Sequence, residues 1–199
     1  MKNNADKTSL YGKTKKTVLC KEDFMKAIVM AGGKGTRLRP LTIERPKPMV
    51  RLFDKPVLEY ILRLLKKHGV TDVCLTLGYL SESVREYVES NDFGMKIECR
   101  VVKEPMGTAG GVKACEDFIG GEDFVVISGD AMCDFDLTEC MEKHREKNAE
   151  ATIVLCSRED PLEYGLVVTG RGDRVESFAE KPPWENVCTD CINTGVYIL

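Results

Sequence analysis

The chain has 199 residues, enough for one domain with a well-buried core, and its 43% hydrophobic and 31% charged content is that of an ordinary globular protein. No apolar run approaches the roughly 20 residues needed to span a bilayer, and the N-terminus lacks the apolar stretch of a secretory signal. A transmembrane or secreted protein is therefore not expected, and a cytoplasmic location is the default.

The net charge of −3 hides an asymmetry: residues 1–26 carry seven lysines against three acids, which leaves −7 for the remainder. With little amphipathic pattern, residues 1–24 read as a basic, disordered extension, or as the product of a misplaced start codon, rather than as a nucleic-acid or membrane arm. Neither nucleic acid nor membrane is expected as a partner. The nine cysteines are an odd number at irregular spacings, a poor disulfide framework. Several sit in apolar runs, such as Val73-Cys74-Leu75, where a free thiol acts as a small hydrophobe. Cys188-Thr-Asp-Cys191 has zinc-knuckle spacing but no second pair to complete a site.

From residue 25 onward, strands and helices alternate. Lys26–Ala31 is a short apolar run ending in glycines, hence a buried strand. Pro56–His68 places Val57, Leu58, Ile61, Leu62, Leu64 and Leu65 on one stripe, with Pro56 at the start and Gly69 just past the end, a helix. A strand is predicted at Asp72–Leu77 and a helix at Ser81–Glu89 with a serine cap. Strand Lys96–Val101, helix Thr108–Phe118, strand Asp123–Ser128, helix Thr138–Lys147 and strand Ala151–Cys156 follow. Extended segments close the chain near Gly165–Thr169, Arg174–Ala179 and Ile192–Leu199. This rhythm predicts an α/β domain over residues 25–199, a mainly parallel (mixed) sheet with helices on both faces. Ligands then belong outside the carboxyl ends of the strands. The chain stops in an apolar strand at Leu199, so it reads as a domain with its C-terminal part missing. The unfinished sheet edge would favour pairing of copies into a homo-oligomer.

The first strand runs into Ala31-Gly-Gly-Lys-Gly-Thr-Arg-Leu-Arg-Pro40. Three glycines within four residues let backbone N–H groups converge on an anion, or simply make a tight turn. A dinucleotide fingerprint would need glycine where Leu38 stands. Residues 34–51 hold Lys34, Arg37, Arg39, Arg45, Lys47 and Arg51 against the single acid Glu44, either an anion site or a solvated basic face. Pro46-Lys47-Pro48 brackets one lysine between two rigid residues, which favours the anion site. At the end of a later strand, Ser128-Gly-Asp130 offers a carboxylate that is a turn residue or, beside a phosphate cradle, a magnesium ligand. Asp134 and Asp136 rank below it as loop or cap residues.

Ala31–Thr42 followed by Pro46-Lys-Pro-Met49 resembles the signature of the sugar-1-phosphate nucleotidylyltransferases. Glu104-Pro-Met-Gly-Thr-Ala-Gly110, Ser128-Gly-Asp130, Glu180-Lys-Pro182 and Asn193-Thr-Gly-Val-Tyr197 agree in order. Thr108-Ala-Gly110, Glu163-Tyr-Gly165 and the closing apolar strand point toward the mannose-1-phosphate guanylyltransferases. The resemblance implies a Rossmann-like three-layer α/β/α nucleotidyltransferase domain. In it Ala31, Gly32, Gly33, Gly35, Thr36 and Arg37 receive the triphosphate, while Gly107 and Thr108 lie beside base and ribose. Arg37, Lys47 and Asp130 are the catalytic set, with Asp130 binding Mg²⁺. Gly165, Glu180, Lys181 and Asn193 match sugar-phosphate-binding positions. Read without the motif order, Glu180 and Lys181 are an exposed strand pair and Asn193 a turn residue. Ser128 stands where many members have Asn, and the family's second metal-binding Asp would lie beyond Leu199.

The implied reaction joins a nucleoside triphosphate, GTP above all, to a hexose 1-phosphate, with mannose 1-phosphate leading. Thymidylyl or uridylyl transfer to glucose 1-phosphate is the close rival. A non-catalytic nucleotide-sugar-binding module and an enzyme with another acceptor, such as phosphocholine, are the remaining readings.

Overall fold

The structure, a computed structural model, describes residues 25–102 and 107–199. The basic extension read at residues 1–24 lies outside them, as do Glu104, Pro105 and Met106 of the Glu104–Gly110 block.

Strand β1 (Met25–Ala31) is an interior strand of the sheet. Its residues alternate between two faces, and Ala27, Ile28 and Val29 are all buried because helices cover both. After the glycine-rich segment come 3-10 turns at Thr36–Leu38 and Lys47–Met49, then a small hairpin of β2 (Arg51–Leu52) and β3 (Lys55–Pro56). The periodicity argument does not foresee this hairpin, since two-residue strands carry no period. Helix α1 (Val57–Lys67) follows with its apolar stripe inward; Leu58, Ile61, Leu62 and Leu65 are almost fully buried. Each such side chain contributes about 1.5–3 kcal/mol on transfer from water. Gly69, with φ +82°, ends the helix in the left-handed conformation that glycine adopts without strain.

Strand β4 (Val70–Leu77), helix α2 (Ser81–Glu89) and strand β5 (Lys96–Val101) complete one wing. The serine cap expected for α2 is not made. Leu80 occupies the capping position in the left-handed region (φ 51°), and Ser81 is already inside the helix. The helix predicted over Thr108–Phe118 is two: α3 (Gly107–Lys113) and α4 (Glu116–Ile119). The break falls at Cys115 (φ −109°, ψ 15°). Turning there sends its side chain into the core, where its Sγ lies 3.3 Å from that of Cys74. That contact and burial hold the Cys74 thiol well above its usual range. Tertiary packing overrides helical continuity in a segment already weakened by Gly110 and Gly111.

Strand β6 (Phe124–Ser128), helix α5 (Leu137–Glu146), and strands β7 (Thr152–Ser157), β8 (Gly165–Thr169), β9 (Val175–Glu180) and β10 (Cys191–Ile198) finish the chain. Asp136 caps α5 by accepting a 3.0 Å hydrogen bond from the Glu139 N–H, the cap role read for it.

The sheet order is β5-β4-β1-β6-β10-β8-β9, with β7 on the opposite edge of β10. The strands from β5 to β6 are parallel; β10 joins them antiparallel, and β7, β8 and β9 continue that sense. One face packs Ala27, Val29, Val73, Leu75, Val125 and Ile127 under α1, α2 and α5. The other packs Ile28, Cys74 and Val126 under α3 and α4. This is the expected three-layer α/β/α domain with a mixed sheet. No helix among the described residues is long and apolar enough to cross a membrane.

Candidate active site

The parallel strands all point their carboxyl ends to one side, and the glycine-rich segment leaves β1 there. In-register pairing of Ala31 with Leu77 sets Gly32 beside Gly78. Three residues on, Gly35 takes φ +59°, which turns the chain into the 3-10 turn carrying Arg37. A β-carbon at Gly35 would stand 3.1 Å from both Lys47 Cβ and Thr42 Cγ2. Glycine is thus required twice there, by conformation and by the approach of the lysine stem. Thr42, 1% exposed, donates from Oγ1 to the Gly35 carbonyl at 2.7 Å and holds the turn shut. The sequence motif contains Thr42 but carries no signal of this role, since Thr36 lies in the same basic loop.

Pro46 and Pro48 shape the second 3-10 turn. The Met49 N–H donates to the Pro46 carbonyl at 2.8 Å and Pro48 is buried, so the Lys47 backbone is fixed and only its arm is free to turn. The Lys47 ammonium forms an ion pair with Asp130 Oδ2. Burial and the neighbouring Arg37 guanidinium lower the Lys47 pKa from the ordinary lysine value, while the carboxylate acts in the opposite sense. Ser128 Oγ donates to the other Asp130 oxygen, Oδ1. Gly129 lets this strand end sit against β1: its β-carbon would fall 2.9 Å from the Met30 carbonyl oxygen.

These elements enclose a cavity of about 350 Å³, lined among others by Ala31, Gly33, Gly35, Thr36, Arg37, Lys47, Ser128 and Asp130. Seven of the expected nucleotide and catalytic positions are therefore in one place: Ala31, Gly33, Gly35, Thr36, Arg37, Lys47 and Asp130. Gly32 stands behind the lining, against Gly78. Gly107 and Thr108 open α3 and do not line this cavity. The basic run divides: Arg45 and Arg51 line a separate cleft of about 460 Å³ with Pro40, Leu41, Ile43 and Val50.

The later motifs gather on β8, β9 and β10. Gly165 pairs with Glu180 across the ladder, and a β-carbon at 165 would lie 2.8 Å from Glu180 Oε2 and 3.9 Å from Asn193 Cβ. Asn193 accepts from the Gly195 N–H at 3.0 Å and donates to the Tyr197 hydroxyl at 2.9 Å. The turn reading of Asn193 thus captures one bond only. Lys181 adopts φ 43° and reaches Glu163, with Nζ–Oε2 at 3.7 Å. Gly195 connects this group to the cavity, since its β-carbon would meet Ser128 Cβ at 3.7 Å.

Asp130 presents hard oxygen donors at the cavity wall, with Oδ2 turned to the Lys47 ammonium. Among the described residues no three His, Cys, Asp or Glu side chains form a metal cluster. Such a site suits Mg²⁺, which keeps several waters and takes its remaining ligands from substrate phosphates. It does not suit a closed structural ion.

The sequence matches the model of the family described as nucleotidyl transferase over residues 26–199. It is 39% identical over 189 residues to a UTP–glucose-1-phosphate uridylyltransferase of Synechocystis sp. and 38% identical over 182 residues to a mannose-1-phosphate guanyltransferase of Yarrowia lipolytica. Each alignment covers 88% of this chain and 49% of the relative; the chain spans about half the length of the curated relatives it matches. The crystal structure of HddC from Yersinia pseudotuberculosis complexed with GMP-PN superposes with a TM-score of 0.77 at 30% identity, over 88% of this chain and 76% of that one.

Proposed function

This chain belongs to the nucleotidyl transferase family, and on that footing we propose that it is a sugar-1-phosphate nucleotidylyltransferase that transfers GMP from GTP to mannose 1-phosphate, forming GDP-mannose and releasing pyrophosphate. The observation that carries the proposal is that Arg37, Lys47 and Asp130, from three separate segments, line one cavity with the glycine turn.

In this reading a phosphate oxygen of the sugar 1-phosphate attacks the α-phosphorus of the triphosphate in line with the leaving group. A new P–O bond forms as the bond from the α-phosphorus to its bridging oxygen breaks, and pyrophosphate departs with the electron pair. The attacking oxygen is already anionic near neutral pH, so no general base is needed. The residues work by position and charge. Backbone N–H groups of Gly32, Gly33, Gly35 and Thr36, in the turn after Ala31, face the triphosphate; Arg37 stabilises departing pyrophosphate; Lys47 bridges the reacting phosphates. Gly107 and Thr108 flank base and ribose. Gly165, Glu180 and Asn193 orient the sugar, and Lys181 holds its phosphate. Asp130 would hold Mg²⁺, which when bound supplies positive charge to the phosphate oxygens.

The relative of Synechocystis favours a second reading, uridylyl or thymidylyl transfer to glucose 1-phosphate. Pyrophosphate release measured for four triphosphates against mannose and glucose 1-phosphates separates the two. Highest turnover with GTP and mannose 1-phosphate is expected; UTP or dTTP with glucose 1-phosphate as the best pair would replace that assignment. Binding of a nucleotide sugar without turnover, and without exchange of labelled pyrophosphate into triphosphate, would leave a non-catalytic module.

A further inference from the structure

The Asp130 carboxylate has its two oxygens divided between two partners. Ser128 Oγ donates to Oδ1, which orients the group, and the Lys47 ammonium sits on Oδ2. The two side chains of the ion pair are 34% and 28% exposed, so a hydrated cation can reach the same oxygen from the cavity. An ammonium and a divalent cation on one carboxylate oxygen would lie a few ångströms apart and repel, so each weakens the other's hold. Pro46 and Pro48 fix the backbone on either side, so the lysine leaves or returns by rotation of its arm.

We infer that Lys47 is a resident competitor for the divalent cation at Asp130, its ammonium standing in the cation's place until a polyphosphate draws it away. The inference rests on the reading of Asp130 as a cation holder. It gives Lys47 a role beyond contact with the reacting phosphates. Nucleotide removes the competitor from Asp130, and the cation removes the partner that detains Lys47, so the two ligands favour each other through this one side chain. The site then avoids holding a metal tightly in the absence of nucleotide.

The test is Mn²⁺ affinity in the absence of nucleotide, followed by the electron-paramagnetic-resonance signal of free Mn²⁺. Lys47→Met and Lys47→Gln should each tighten binding by at least about tenfold, the scale of removing a unit charge beside a carboxylate. Lys47→Arg keeps the charge and should remain as weak as wild type. Asp130→Asn should lose the site. Unchanged or weaker Mn²⁺ binding in both neutral variants, with Asp130→Asn still abolishing it, would overturn the competition alone. Equal tightening in Lys47→Arg would overturn it too, since the effect would then be steric. Mn²⁺ binding indifferent to Asp130→Asn would remove the cation-holding reading and this inference with it.

Discussion

Gly78 lies so close to Gly32 that a β-carbon at position 78 would come 2.6 Å from the Gly32 carbonyl oxygen. The atom it would strike is backbone, at the exit of the central strand, so the contact cannot be relieved by turning a side chain. Gly78→Ala should displace the start of the glycine turn, destabilise the fold by about 1–3 kcal/mol and weaken triphosphate binding. Gly33 faces open space, so Gly33→Ala should leave the urea midpoint nearly unchanged. Equal destabilisation by the two substitutions would show that crowding at Gly32 is not the cause.

Lys47→Ala and Asp130→Ala should each lower pyrophosphate release by about 10²–10³-fold, the usual cost of losing one preorganised electrostatic contact. Steady-state assays with saturating substrates measure this directly. Near-normal turnover in either variant would defeat the role proposed for that residue.

Gly165→Ala would set a methyl group 2.8 Å from Glu180 Oε2. That oxygen ends a flexible side chain, so the fold should tolerate the change while the carboxylate moves aside. The expected result is a KM for sugar 1-phosphate raised about tenfold, the scale of one lost hydrogen bond to a charged group, with KM for the triphosphate unchanged. A matched rise in both constants would mean that Gly165 and Glu180 do not serve the sugar.

Glu59, buried in α1, accepts from the Tyr87 hydroxyl and from Arg63 and Lys55. The Tyr87 hydrogen bond above all holds its carboxyl at about 2, against an ordinary 4.5, and burial opposes this. A folded-state pKa below the unfolded one gives stability that is present above pH 4.5 and lost as pH falls toward 2. Tyr87→Phe should cost about 2 kcal/mol at neutral pH and flatten the stability profile across that acid window. Urea unfolding at pH 7 and pH 3 tests both; an unaltered pH slope would remove Tyr87 as the cause.

Leu80 caps α2 in a left-handed conformation (φ 51°) that costs an L-residue about 1–2 kcal/mol. Leu80→Gly should therefore stabilise the protein by about 0.5–1 kcal/mol, seen as a higher urea midpoint. A lower midpoint would mean that the half-exposed leucine side chain contributes more than its backbone costs.

The strands and helices of the parallel wing were legible because each has a period or an apolar run long enough to register: β1, α1, β4 and β5 fall within two residues of their predicted bounds. Ser81 and Cys115 were misread for the same physical reason. A serine before a helix signals a cap only if the chain enters from an extended conformation, and a helix continues through Cys115 only if that side chain is not turned into the core against Cys74. The Pro46-Lys47-Pro48 bracket singled out its lysine from sequence, whereas Gly78 and Thr42 carried no pattern that marks a close backbone approach or a buried hydroxyl.

The order of motifs along the chain determined the family, the strand that opens the site and the chemical type of each group near it, because those depend on residue identity and local spacing. Which groups meet was decided by the sheet. Parallel pairing of β1 with β4 and β6 brings Gly32, Gly78 and Asp130 to one edge, and the antiparallel return of β10 sets Gly195 against Ser128. Such neighbours are far apart in sequence and are joined by backbone hydrogen bonds, which every residue type but proline can both donate and accept and which therefore leave little trace in composition.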